Sequence, residues 1–196
     1  MRHALRSPCT NRRALLLAGL LACLPASATD RPVDAALRAA AERNDLAAFE
    51  SLVRQGADVN ARDPQQDSAF LIAARNGHAA IVRLAIAAGA DIRALNRYGS
   101  TALMGPAYRG HVETVRVLLA TPIDIHHVNN LGWTALLEAL TLGTDSTAHR
   151  EIVRLLIERG CDVNARDRNG ANALQIAEQR GHAEVARMLR AAGATR

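Results

Sequence analysis

Residues 160–165 read Gly160-Cys161-Asp162-Val163-Asn164-Ala165, and residues 56–61 read Gly56-Ala57-Asp58-Val59-Asn60-Ala61. Two near-copies of one string in a single chain raise the question of a period. Partial copies lie between them, at Gly89-Ala90-Asp91-Ile92 and Pro122-Ile123-Asp124-Ile125. Gly56 to Gly89 is 33 residues, Pro122 follows after another 33, Gly160 after 38 and Gly193 after 33. Two further landmarks keep the same beat. His78, His111, His149 and His182 are separated by 33, 38 and 33 residues, and the turn glycines Gly99, Gly132 and Gly170 by 33 and 38. The chain is therefore an array with one insertion of 5 residues, which falls within Gly143-Thr144-Asp145-Ser146-Thr147-Ala148.

Each unit reads as a turn, a short helix, a tight turn at the histidine, a second helix and a glycine stop. The second helices carry apolar residues at helical spacing: Ile81, Val82, Leu84 and Ile86, then Val115, Val117, Leu118 and Leu119, then Ile152, Val153, Leu155, Leu156 and Ile157. The glycine that follows, as at Gly160, accepts the left-handed backbone that ends a helix. Aromatic residues make up only 3% of the chain, so a core has to be built from Ala, Leu, Ile and Val, which suits closely stacked helices better than a sheet sandwich. The expected fold class is all-α, a solenoid of about five helix-turn-helix units with short hairpin-like turns. The units fall at approximately 34–62, 63–95, 96–128, 129–166 and 167–196, within a single repeat domain over 29–196. The first lacks a leading turn and the last lacks a following one, so both read as caps.

The array resembles the ankyrin-repeat family. The resemblance is carried by Gly-Ala-Asp-Val-Asn-Ala at 56–61, Gly-Cys-Asp-Val-Asn-Ala at 160–165 and Gly-Trp-Thr-Ala-Leu at 132–136, and it covers residues 34–196. It implies stacked helix pairs, hairpin-like turns projecting to one side, and a curved surface that binds another protein. The family's Thr-Pro-Leu-His appears as Ser68-Ala69-Phe70-Leu71, Thr101-Ala102-Leu103-Met104, Thr134-Ala135-Leu136-Leu137 and Asn172-Ala173-Leu174-Gln175. No copy has the Pro or the His, which predicts weaker hydrogen bonding around the turns. Gly105-Pro106 stands inside the short first helix of the third unit and predicts a kinked or shortened helix there. The insertion is expected to form a mobile loop at the end away from the hairpins.

Residues 1–28 have the shape of a secretory signal: a basic lead with Arg12-Arg13, an apolar run from Ala14 to Leu24, and Ala26-Ser27-Ala28 as a cleavage site. Removal after Ala28 is expected. Leu20-Leu21-Ala22-Cys23 offers a rival, a lipobox whose Cys23 becomes the acylated first residue. Every basic residue is Arg and alanine abounds, the codon signature of a GC-rich bacterium, so export means the periplasm or beyond. Without Arg2, Arg6, Arg12 and Arg13, 20 arginines face 19 acidic residues, and no basic stripe points to nucleic acid or to an anionic membrane. Cleavage leaves Cys161 as the one cysteine, in a slot held by Ala57, Ala90 and Ala194, and it is expected to be an inert buried thiol.

No phosphate loop, nucleophile elbow or paired zinc motif occurs, and the expectation is no enzyme, no cofactor and no metal. The four histidines share one slot, a unit apart, and mark a repeated turn. His126-His127 has no third ligand nearby, and Glu138, placed where Ile72, Gly105 and Ile176 stand in sister units, is a half-buried carboxylate with no base beside it. The function expected is a monomeric protein-binding scaffold, periplasmic or secreted; the alternatives are an accessory subunit of a periplasmic stress enzyme and a secreted effector acting on a host protein. By the family's contact pattern, the partner-binding residues are Arg97, Tyr98, Ser100, Tyr108 and Arg109 in the third unit and Asn130, Leu131, Trp133, Thr141 and Leu142 in the fourth. The one Trp and both Tyr fall on these slots, whereas Phe49 and Phe70 follow the core pattern.

Overall fold

The computed structural model describes residues 31–196, so the leader at 1–28 and Cys23 lie outside the described residues. Ten helices follow in order: α1 (Pro32–Glu42), α2 (Leu46–Arg54), α3 (Ala69–Asn76), α4 (Ala79–Ala87), α5 (Met104–Arg109), α6 (Val112–Leu119), α7 (Ala135–Leu142), α8 (Thr147–Glu158), α9 (Ala173–Gln179) and α10 (Ala183–Ala191). The odd-numbered helices stack in one row and the even-numbered ones in a second, each on its counterpart in the next unit. This is the expected all-α solenoid of five helix pairs.

Alanine makes the close stacking possible. Ala40, Ala41, Ala73, Ala74, Ala107, Ala139 and Ala177 of the odd row are buried, while Leu37, Phe70, Leu103, Leu136 and Leu174 fill the space around them. The even row contributes Phe49, Ile81, Val82, Val115, Leu118, Ile152, Val153, Leu156, Val185 and Leu189. Burying each large aliphatic side chain is worth about 1.5–3 kcal/mol. These repeated contributions, not any staple, hold the stack together.

The hairpins before the odd helices are built on a recurring Asp or Asn. Oδ1 of Asp63, Asn96, Asn129 and Asp167 accepts the N–H four residues on, from Asp67 at 2.8 Å, Ser100 at 3.0 Å, Trp133 at 3.1 Å and Ala171 at 2.9 Å. Ser68, Thr134 and Asn172 then cap α3, α7 and α9 by accepting N–H bonds from Leu71, Leu137 and Gln175. At the turns before α3, α7 and α9 these bonds are made without the family's Pro and His, so the expected weakening is not seen there. At the hairpins the missing cap is that of the third unit. There Thr101 Oγ1 is buried without a partner and α5 starts only at Met104, so the helix is shortened rather than kinked. Pro106 becomes its third residue, inside the first turn, where an N–H would have no intrahelical acceptor.

The insertion also resolves differently from expectation. It lets α8 begin early, at Thr147, with Ser146 as its cap, so the loop is reduced to Gly143–Ser146 and is tied by Arg150 Nε donating to Asp145 Oδ1 at 2.9 Å. His149 still packs over the glycine of the preceding unit, Gly110, as His111 does over Gly77, but its place relative to its own helix changes. His78, His111 and His182 precede their helices, whereas His149 lies within the first turn of α8, buried, its Nε2 2.7 Å from the Tyr108 carbonyl and its Nδ1 2.9 Å from Ser146 Oγ. Gly110 accommodates it. Its φ of 80° suits glycine, and a Cβ there would stand 3.2 Å from His149 Cε1.

Candidate partner-binding cleft

Gly105 lets α3 and α5 approach each other at the edge of a cleft. It occupies the slot of Ile72, Glu138 and Ile176 and lies so close to α3 that a Cβ would meet Arg75 Cα at 3.2 Å. A cleft of about 460 Å³, with Gly105 in its lining, lies between α3, α5, α7 and the hairpins at 96–101 and 129–134. Its apolar walls are Tyr98, Tyr108, Leu131 and Leu142, exposed by 50%, 36%, 46% and 44%. Its buried floor is Ser100, Thr101 and Asn129, with Glu138 beside them.

Charge is layered across the cleft. At the rim the Arg97 guanidinium lies 4.9 Å from the Tyr98 ring centroid and that of Arg109 6.0 Å from the Tyr108 ring. Arg75 is already engaged, 2.8 Å from Asp67 and 3.5 Å from Glu42. Below them Asn129 Nδ2 donates to Ser100 Oγ and to Glu138 Oε2, both at 3.1 Å. Burial pushes the Glu138 carboxyl up to about 7, against the weaker opposing pull of the Asn129 bond. No arginine among the described residues pairs with it.

Seven of the ten residues expected to bind a partner line this one cleft: Arg97, Tyr98, Ser100, Tyr108, Arg109, Leu131 and Leu142. Ser100 does so as a buried floor residue, not an exposed turn tip, because Asn96 and Asn129 draw it inward. The other three sit elsewhere. Asn130 is exposed but folds over Gly99, and Arg168 reaches its carbonyl. Trp133 is half-buried against the core; its N–H donates to Asn129 Oδ1 and its carbonyl accepts from Asn129 N–H, so its ring packs the stack rather than lining the cleft. Thr141 is half-buried, its Oγ1 enclosed and its carbonyl taken by Arg180. Sequence reasoning noticed Glu138 but left it outside the site, and it missed Asn129, Thr101 and the place of Gly105 in the cleft lining. The available signal was Gly105 and Glu138 at one slot in adjacent units.

The arrangement offers binding groups and no pairing of nucleophile with base. Among the described residues no three His, Cys, Asp or Glu side chains converge as a metal site. His126 is exposed, and His127 Nε2 lies 2.6 Å from the Gly99 carbonyl, so the pair does not act together. Burial raises the half-buried Cys161 thiol to about 11.

Comparison with known proteins agrees with the fold. The family model for ankyrin repeats matches residues 37–129 and 107–195. The ankyrin repeat protein YahD of Escherichia coli K12 is 40% identical over 58 residues, 30% of this chain, and that segment spans 29% of the relative's own length. The crystal structure of an ankyrin repeat domain from Acinetobacter baumannii AYE superposes with a TM-score of 0.78 at 46% identity, over 81% of each chain. With the repeat period, the helix pairs and the matched residues in agreement, the chain belongs to the ankyrin-repeat family.

Proposed function

We propose that the protein is a non-catalytic scaffold that binds another protein through the cleft between its third and fourth units. Ankyrin repeats are in general protein-protein interaction modules. One observation carries the reading further: both tyrosines of the chain stand exposed on the wall of a single cleft, beside exposed Leu131 and Leu142. Tyr and Arg are the side chains that most often anchor an interface, and an exposed apolar patch rimmed by polar groups is what a partner covers. The leader-like stretch at 1–28 supports action in the periplasm or outside the cell.

The test is affinity capture with the exported full chain, wild type against Tyr98→Ala combined with Tyr108→Ala. A protein retained by the wild type is expected to be lost by the double variant, with melting changed by less than about 3 °C, since both side chains are partly exposed. Retention by the variant places the interface elsewhere. The captured partner's identity separates a structural envelope protein from a periplasmic enzyme or a host protein. An intact mass beginning at Thr29 supports removal of the leader; a lipid adduct on Cys23 supports anchoring instead.

A further inference from the structure

A binding cleft selects its occupant through the groups at its floor, because rim charges remain in water and are screened. Here the floor holds a carboxylate with no cation of its own. Glu138 Oε2 is held by Asn129 Nδ2, while Oε1 receives no hydrogen bond among the described residues. Asn129 cannot swing to serve it, since its Oδ1 accepts from Leu131 and Trp133 and its Nδ2 is shared with Ser100.

The other charges of the neighbourhood are accounted for. Arg75 of α3 is bound by Asp67 and Glu42. Tyr108 and Arg109 of α5, like Arg97 and Tyr98 of the hairpin, form the rim and walls. On α8, His149 is bonded to Ser146 and Tyr108, Arg150 pairs with Asp145, and Glu151, Arg154 and Glu158 pair with one another and with Arg116. Glu178 of α9 is held by Arg190 and Arg196.

We propose that the cleft takes one basic side chain, lysine or arginine, from a protein segment whose flanking residues are acidic. The cationic head lies on the Glu138 carboxylate, the aliphatic stem lies along Tyr108, Leu131 and Leu142, and the acidic neighbours meet Arg97 and Arg109. Long basic side chains are suited to this, burying their methylenes while keeping the charged end paired. An acidic occupant would bring like charge onto Glu138. The assignment rests on the reading of the cleft as the partner surface, and it narrows that partner's chemistry.

The probe is a capped pentapeptide with a central lysine between alanines and terminal glutamates, titrated into the full chain and followed by NMR. Two controls carry norleucine or glutamate at the centre. Saturable shifts at Tyr98, Tyr108 and Glu138 are expected for the lysine peptide, with at least tenfold weaker binding of both controls. Glu138→Gln should weaken the lysine peptide at least tenfold and leave the norleucine peptide unchanged. Between pH 6 and 8 the lysine peptide should bind the wild type more tightly as pH rises, because a carboxylate must be ionised to pair with it. The proposal is overturned if norleucine binds as well as lysine, if Glu138→Gln leaves the lysine peptide unaffected, or if no peptide saturates. The two readings fail separately. A captured partner lost by the tyrosine double variant but kept by Glu138→Gln sinks the basic anchor and spares the scaffold surface; lysine-selective binding with a partner indifferent to the tyrosines does the reverse.

Discussion

Replacing Glu138 by glutamine should make the protein more stable, by an amount that grows as pH rises from about 4.5 and is complete above about 7. In the folded chain the carboxyl is raised from its ordinary 4.5 to about 7 by burial beside Asn129 and Ser100. A separation of that size corresponds to about 3 kcal/mol at 1.36 kcal/mol per pH unit, reduced to roughly 2–3 kcal/mol because the group opens onto the cleft. The sign follows from which state holds the proton more tightly. The folded chain does, so the contribution is fully present below pH 4.5, declines as pH rises toward 7 and is lost above it. Glutamine resembles the protonated acid in shape and can still accept the Asn129 bond. Wild type and Glu138→Gln should therefore melt together at pH 4, and the variant should melt about 5–10 °C higher at pH 8. Thermal melts at half-unit steps check this. Carboxylates held low by arginines, such as Asp34 and Glu151, weaken both proteins equally in acid and cancel in the difference. Parallel curves, or a variant less stable at pH 8, would refute the picture of an unpaired buried carboxylate.

Trp133→Ala should cost about 2 kcal/mol of stability, because the half-buried ring packs on the core; unchanged melting with lost partner capture would return Trp133 to the interface. Asn60 ties its loop to the next, its Nδ2 donating to the Gly89 carbonyl at 3.0 Å and its Oδ1 accepting from Asp91 N–H at 2.8 Å, and Asn164 repeats this with Gly193 and Thr195. Arg93 and His126 hold the same slot in the middle units, so Arg93→Asn and His126→Asn should each add about 0.5–1.5 kcal/mol in urea unfolding, and no gain would mean the loops do not come into register. Native Cys161 should react with a thiol reagent at pH 8 far more slowly than the urea-unfolded chain; equal rates would contradict a thiol raised to about 11.

The period was legible because each landmark has a mechanical cause that recurs: a small residue wherever helices touch, an Asp or Asn wherever a hairpin closes. Phe49 and Phe70 were placed correctly by their spacing alone, and both are fully buried. The departures are where one local change alters a neighbour in space. Five inserted residues did not simply lengthen a loop; they let Ser146 cap an earlier helix start and carried His149 under Tyr108. Trp133 and Ser100 occupy slots that are exposed in a schematic repeat, yet both are drawn inward by Asn129, whose side chain makes bonds across unit boundaries that no single-unit pattern contains.

The same logic explains why the cleft lies in the middle of the stack. The Asn ties join the first loop to the second and the fourth to the end of the chain, while Arg93 and His126 leave the central loops without them. Between the third and fourth units the connection moves outward to the hairpins: Asn130 N–H donates to the Tyr98 carbonyl at 3.0 Å, His127 meets the Gly99 carbonyl, and Asn129 bridges to Ser100. Holding the hairpins together fixes the spacing of Tyr98 and Leu131 over the cleft that Gly105 of the short α5 helps to line. Each of these features departs from the regular repeat and costs stability where it stands: an unpaired Thr101 hydroxyl, an unpaired Glu138 carboxylate and a helix of only 6 residues. Sequences that obey local rules elsewhere and break several at one place do so where function competes with folding. These three broken rules share one cleft, and the well-tied units on either side carry the stability that it gives up.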